Sequence, residues 1–248
     1  MIICYNNKVL DATITASSEQ AGYGASVSLK DPRLCRKWKA YGALDEYVIF
    51  DIFAAVAVTN CILANTNLTS SATVRVEANS SDSWATPAFS SVLAQYGDKW
   101  SATFTAQTYR YWRVYLDDAA NPEALYLGAA FIGPALTMPG MAPDQEIPTK
   151  SSAQTVFSIG GQAYGDRRIR YKTASINFPY ISLTDKYLID DFFDVVDVTN
   201  PFFLLVWEDD LTIEPPIYCV LTKDLVWSID STNSGRSYKL SLEFQEAK

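Results

Sequence analysis

Three separated stretches in the first half of the chain alternate apolar and polar side chains with a period of two. In Tyr47-Val48-Ile49-Phe50-Asp51-Ile52-Phe53, the residues Val48, Phe50 and Ile52 share a face. In Thr73-Val74-Arg75-Val76-Glu77-Ala78 the inward residues are Val74 and Val76, and in Tyr111-Trp112-Arg113-Val114-Tyr115-Leu116 they are Trp112, Val114 and Leu116. Successive side chains of a strand point to opposite faces, and β-branched and aromatic residues suit its pleated surface. Polar loops rich in Ser, Thr, Asn and Gly, such as 65–71 and 79–83, separate these runs. Short strands joined by turn-rich loops predict a β-sandwich.

The pattern stops where Gly133-Pro134, Pro139-Gly140, Pro143 and Pro148 crowd together. Proline fixes φ and has no N–H to donate, so residues 136–150 are predicted to leave the sheet and act as a linker. The 248 residues then divide into a sandwich over 1–135 and a second domain over 151–248, each of ordinary domain size. Charge divides unevenly as well. Residues 1–140 hold 10 basic and 12 acidic side chains, and residues 141–248 hold 10 and 16.

The second half reads as α+β, one helix packed on a sheet or barrel. Arg168-Ile169-Arg170-Tyr171-Lys172 opens a strand that continues through Ala174, Ile176 and Phe178. Thr184 is placed to cap a helix over about 184–198, with Asp185 at the positive end of its dipole. Leu188, Phe192 and Val195 recur at helical spacing, as do Ile189, Phe193 and Val196, and Asn200-Pro201 ends the run. Strands are predicted at 202–207, 217–221 and 225–229. A closing strand alternates Tyr238, Leu240, Leu242 and Phe244 with polar residues.

Chemistry is limited by the absence of histidine. Without imidazole there is no Ser-His-Asp or Cys-His nucleophile system and no His-Glu-x-x-His zinc site, so the chain is expected not to be an enzyme. The doublets Asp45-Glu46 and Asp117-Asp118 put their carboxyls on opposite faces of a strand and make no glycosidase dyad. Gly160-Gly161 has no lysine at P-loop spacing. Cys4, Cys35, Cys61 and Cys219 are scattered, which predicts small buried thiols and neither a zinc site nor a disulfide framework. A net charge of −8 argues against nucleic acid as a partner. The start, from Met1 to Lys8, lacks a basic region followed by an apolar run, and no apolar stretch approaches the ~20 residues of a membrane span. Synthesis in a cytoplasm, without membrane insertion and without a cofactor, is the expectation.

Two groups of residues remain as candidate sites. Tyr23, Trp38, Tyr41 and Trp84 lie in loop segments together with Arg36, and aromatic faces beside a few polar groups are what ligand clefts use. Arg167, Arg168, Arg170 and Lys172 form a basic strand face, and Asp190, Asp194 and Asp197, at i, i+4 and i+7, an acidic helix face. The acids read as a solvated face and not as a calcium site, because the spacing and central glycine of an EF-hand are missing. The basic face of one copy would complement the acidic face of the next and set register in an assembly.

The segments Ile14-Thr15-Ala16-Ser17-Ser18, Ser28-Leu29-Lys30-Asp31, Trp38 and Glu46 to Ile52 resemble the opening of a discoidin or coagulation-factor C-type module, one of the galactose-binding-like jelly rolls. Tyr111 to Leu116 and Leu127-Gly128-Ala129-Ala130-Phe131-Ile132-Gly133 are similar to its closing strands. This resemblance implies ligand binding by loops at one end of the sandwich. Extracellular members often join their ends by a disulfide, and here Cys4 has no cysteine near residue 132 to pair with.

The second half resembles the C-terminal part of tail proteins from long-tailed bacteriophages. The matching pieces are residues 174–180, the helix through Phe192-Phe193, Asn200-Pro201-Phe202-Phe203, Tyr218-Cys219-Val220-Leu221 and residues 238–244. That resemblance implies a structural protein of the phage tail tip or distal tail, located in the virion. Its partners would be other tail proteins, further copies of itself in a ring, and a host-surface glycan. A stand-alone lectin or carbohydrate-binding module is the alternative.

Overall fold

The computed structural model describes residues 1–248 apart from 144, 167, 208, 209, 233 and 234, and of residues 230–232, 235 and 236 it describes the backbone. In chain order the elements begin with β1 (Ile2–Cys4), β2 (Thr13–Ala16), α1 (Ala25–Ser28), β3 (Trp38–Lys39) and β4 (Glu46–Thr66). There follow β5 (Thr73–Asn79), β6 (Phe89–Val92), β7 (Ala94–Tyr96), β8 (Lys99–Asp117), β9 (Tyr126–Gly133) and β10 (Leu136–Thr137). The rest are β11 (Thr149–Ser151), β12 (Thr155–Phe157), β13 (Ala163–Gly165), β14 (Arg170–Ile181), α2 (Leu183–Val196), β15 (Phe202–Leu205), β16 (Ile217–Leu221), β17 (Ser228–Thr232) and β18 (Gly235–Glu246). The chain is mainly β, and it divides into two units: Met1–Met138 with Pro201–Tyr218, and Pro139–Asn200 with Cys219–Lys248.

The first unit is a sandwich made from one sheet bent upon itself, in the order β3-β9-β4-β8-β5-β6 with β2 on β4 and β7 on β8. Two long strands do the bending. The first part of β4 pairs with β2 and the end of β8, for example Val48 opposite Val114, while its last part pairs with β9 and the start of β8. Between Asp51 and Val56 the register shifts, and Phe53 takes φ 61°, its N–H donating to Asp51 Oδ1 at 2.9 Å. Val48 and Phe50 from one layer then share a core with Val58, Cys61 and Leu63 from the other, closed by Trp38, Trp112, Val114, Ala130 and Ile132. The ends of the sandwich are joined without a disulfide. Asn7 donates from Nδ2 to Ala130 O at 2.9 Å and accepts from Ile132 N–H at 3.2 Å, and Lys8 N–H donates to Ile132 O at 2.9 Å.

β9 is buried along nearly its whole length, so both its faces need cover. Ala130 and Ile132 face the sandwich core, and Phe131 stacks edge-on against Phe203 with ring centroids 6.3 Å apart. Phe203 in turn packs on Tyr218, and its strand β15 pairs antiparallel with β1, Ile3 opposite Leu204. Residues 201–218, read from the sequence with the second half, therefore group with the first. The expected linker over 136–150 also contains strand: β10 pairs with β1, and β11 with β14. The prolines stand at 134, 139, 143 and 148, outside both short strands, and so leave their donors intact.

In the second unit β14 pairs with β11 on one side and β18 on the other, Ile176 opposite Leu242 and Phe178 opposite Leu240, and β18 also pairs with β17 and with Cys219–Leu221 of β16. The helix α2 packs against β18 and buries Ile189, Phe192 and Val196, whereas Leu188 and Val195 of the expected stripe are about half exposed. Its N-cap is Ser182 and not Thr184. Ser182 keeps extended backbone, its Oγ accepts from Asp185 N–H at 3.1 Å and donates to Asp185 Oδ2 at 2.7 Å, which satisfies a free helix donor two residues earlier than expected. β12 and β13 pair only with each other, and all their side chains are exposed, Val156, Phe157 and Tyr164 included. No described helix is long and apolar enough to cross a membrane.

Candidate functional site

Two segments, 17–24 and 37–46, are knitted together at one end of the sandwich. Gln20 N–H donates to Lys39 O at 2.9 Å, Lys39 N–H to Tyr23 O at 3.2 Å, and Gln20 Nε2 to Ala40 O at 2.7 Å. Glu46 is the hub of this junction. Its buried carboxylate accepts from Ser17 Oγ, from Ser18 Oγ at 2.8 Å and from Gly42 N–H at 3.0 Å, while Ser18 Oγ also accepts from Tyr41 N–H at 2.9 Å. Asp118, fully buried, does the same for another loop, taking the N–H and the hydroxyl of Thr69, each at 2.6 Å. One member of each acid doublet is thus engaged in holding loops, where its lone pairs are already filled.

Tyr41 stands 71% exposed on this junction and Tyr23 40% exposed. Lys39 extends its ammonium over the Tyr23 ring, 4.2 Å from the centroid. Arg36 is exposed in the turn before β3, 3.7 Å from Asp31, and Asp31 also takes the Arg33 guanidinium; that hydrogen-bonded pairing holds the Asp31 carboxyl well below the usual range. The structure therefore brings Tyr23, Tyr41 and Arg36 to adjoining segments.

Trp38 and Trp84 do not join them. Trp38, expected among the ligand contacts, is completely buried and donates from Nε1 to Ser18 O at 2.9 Å. Alternation along β3 turns residue 38 into the core and its neighbours outward. Trp84 belongs to the outer face of the β4-β8-β5 layer, with Nε1 2.6 Å from Asp82 Oδ1 and the Arg113 guanidinium 4.7 Å over its ring. Arg113 is ion-paired with Glu77 there and also lies over Tyr47 and Tyr115. Tyr115 donates its phenol proton to Asp45, and that bond, together with burial, pushes the phenol up to about 12.

Of the expected assembly residues, Arg167 lies outside the described ones. Arg168 is exposed beside Asp166 at 3.1 Å, and Arg170 is exposed on β14; Lys172, half-buried, has its backbone N–H bonded to Glu246. Asp194 and Asp197 are exposed, but Asp190 is not part of an open acidic face. Its carboxylate accepts from Lys186 and from Trp227 Nε1 at 2.9 Å, tying the helix to its own unit. Among the described residues no group of three or more Cys, Asp or Glu converges as a metal site. Cys4, Cys61 and Cys219 are buried, and burial pushes the Cys4 and Cys61 thiols up; Cys35, also expected inside, is exposed because its loop lies outside the strands.

No protein-family model matches the chain, and no curated protein matches it. Among solved structures it is similar to chitosan-binding module 1 from a chitosanase/glucanase of Paenibacillus sp. IK-5, at 25% identity over 52% of this chain and 100% of that one, with a TM-score of 0.42. It is also similar to the family 32 carbohydrate-binding module of C. perfringens NanJ in complex with galactose, at 13% identity over 53% and 98%, TM-score 0.42. A third is the lectin domain of lectinolysin complexed with Lewis B antigen, at 14% identity over 51% and 95%, TM-score 0.43.

Proposed function

We propose that the sandwich unit binds carbohydrate at the loop end that carries Tyr23 and Tyr41. The observation behind this reading is that two exposed phenol rings, one of them under the Lys39 ammonium, sit on segments held by the Glu46 hub, with Arg36 exposed in the turn that precedes β3. Ring faces pack against the C–H faces of sugars while fixed polar groups choose orientation, and pre-held loops lose little entropy on binding.

Within that reading the chain is a structural protein of a phage tail tip or distal tail, made in a bacterial cytoplasm and built into the virion, where it presents the sandwich to a host-surface glycan. The second unit docks on neighbouring tail proteins and on further copies in a ring. Support comes from the resemblance of its element order to tail proteins and from the β12–β13 arm, whose exposed Val156, Phe157 and Tyr164 are the kind of surface an assembly covers. A weak glycan site repeated around a symmetric tail gains avidity through effective concentration. No catalysis, nucleic acid, cofactor or membrane insertion belongs to this reading.

A stand-alone lectin or carbohydrate-binding module accounts equally for the tyrosine pair and needs no assembly. A glycan array with the purified chain, joined to mass measurement over a concentration series and to immunodetection in virion fractions, separates the readings. Glycan binding with higher oligomers and virion association is the expected result. Glycan binding by a permanent monomer absent from virions leaves the module reading standing; no glycan binding overturns the carbohydrate reading, and a monomer absent from virions overturns the tail reading.

A further inference from the structure

Five of the chain's twenty basic residues fall within residues 30–39: Lys30, Arg33, Arg36, Lys37 and Lys39. The one acid in that stretch, Asp31, is taken by Arg33 and Arg36. Lys37 and Lys39 are disposed otherwise. They flank Trp38, which fills the core, so both turn to the outer side, Lys39 from β3 and Lys37 from the position just before it. β3 is the end strand of its sheet and pairs with β9, Lys39 opposite Tyr126. Lys37 Nζ lies 3.7 Å from the centroid of the Tyr126 ring, and Lys39 Nζ lies 4.2 Å from that of Tyr23. The result is a row of two ammonium groups and two phenol rings along one sheet edge.

Among the described residues, neither ammonium is ion-paired with a carboxylate. A ring face attracts an ammonium through its quadrupole but leaves the charge in place, unlike a carboxylate, which neutralises it. The row therefore keeps a local positive charge in a chain of net −8. It is also held in position. Ser28 Oγ donates to Lys37 O at 2.9 Å, Tyr218 Oη donates to Pro32 O at 2.9 Å, and Asn65 Nδ2 donates to Leu34 O. Gly128 lets β9 lie against this loop, since a Cβ there would stand 2.7 Å from Leu34 O.

We infer that the ligand of this edge is an acidic polysaccharide, its carboxylates or phosphodiesters meeting Lys37 and Lys39 while Tyr23 and Tyr126 flank the sugar rings. This rests on the carbohydrate-binding reading and narrows it to a ligand class. An ammonium on a ring is a point charge open to any anionic oxygen, so carboxylate and phosphodiester share one chemistry here.

The test titrates the full chain with polygalacturonate, with the same polymer after carboxyl reduction, and with a poly(glycerol phosphate) glycan, each at low and high salt. Binding of either anionic polymer at least about tenfold tighter than the reduced one, with the difference lost at high salt, is the expected result. The double variant Lys37→Gln/Lys39→Gln should bring that affinity down to the level of the reduced polymer, and Lys8→Gln should not. Salt dependence of the unaltered chain serves as the readout if the double variant does not fold. Equal affinity for charged and reduced polymers overturns the inference and leaves carbohydrate binding intact. Equal affinity for single-stranded DNA of matched charge overturns it in favour of a general polyanion site. No binding to these polymers or to a neutral glycan panel removes the carbohydrate reading itself.

Discussion

Gly133 shows how one position carries a constraint that only the folded chain reveals. In the sequence it opens the proline-rich stretch, but in the fold it ends β9 where the backbone of Asn6 passes. A Cβ there would stand 2.3 Å from Asn6 O and 2.9 Å from the Phe131 ring. Backbone cannot yield as a flexible side chain can, so Gly133→Ala is expected to cost about 1–3 kcal/mol, seen as a lower urea midpoint. Gly140→Ala, with open space around the added methyl, should leave the midpoint nearly unchanged. Trp38 teaches the complementary lesson. Its type and loop setting fit a ligand contact, and only its register in a two-residue strand turns it inward. Tyr115 offers a residue-level pH test. Its folded-state value is raised from 10.0 to about 12, so the bond to Asp45 stabilises fully below the ordinary phenol value and is lost as pH rises toward the folded one. The unaltered chain should be more heat-stable than Tyr115→Phe at pH ~8, with the gap closing as pH climbs through that window.

At the scale of elements, what was legible depended on length and periodicity. The alternating runs at 47–53, 73–78 and 111–116 all lie in strands, because a face buried every second residue leaves its imprint on local sequence. That β4 continues through a bend to Thr66 was not legible, since the bend rests on Phe53 at positive φ, a conformation its residue type does not announce. The helix was legible in place, and its cap was displaced by two residues. Ser182→Ala should therefore destabilise the second unit by ~1 kcal/mol while Thr184→Ala does not, as thermal melts monitored at the helix band would register. The β12–β13 arm left no signal because three-residue strands with no buried side chain impose no pattern. Such an arm adds little to the stability of its own chain, as an isolated two-stranded hairpin is marginal in water. Replacing residues 153–166 with a short Gly-Ser linker should leave the melting temperature nearly unchanged and, on the tail-assembly reading, abolish higher oligomers in mass measurements.

Over the whole molecule, chain order and spatial order part company. A reading along the sequence divides the protein once, near residues 136–150, because prolines and glycines mark local breaks; it holds no record of which distant strand returns to cover an exposed face. The apolar side chains of β9 on both faces, Ile132 inward and Phe131 outward, already require a second layer, and β15 supplies it from residues 202–205. Phe203 is 2% exposed and touches both Phe131 and Tyr218, whose hydroxyl in turn holds the loop at Pro32. Phe203→Ala should consequently cost about 3–5 kcal/mol through lost burial and the cavity left behind. The location of the damage is the sharper expectation. If Phe203 belongs to the first unit, amide exchange should accelerate at β1 and β9, while amides of β14 and β18 keep their protection. Acceleration confined to β14 and β18 would instead assign residues 201–218 to the second unit, as their position in the sequence suggests.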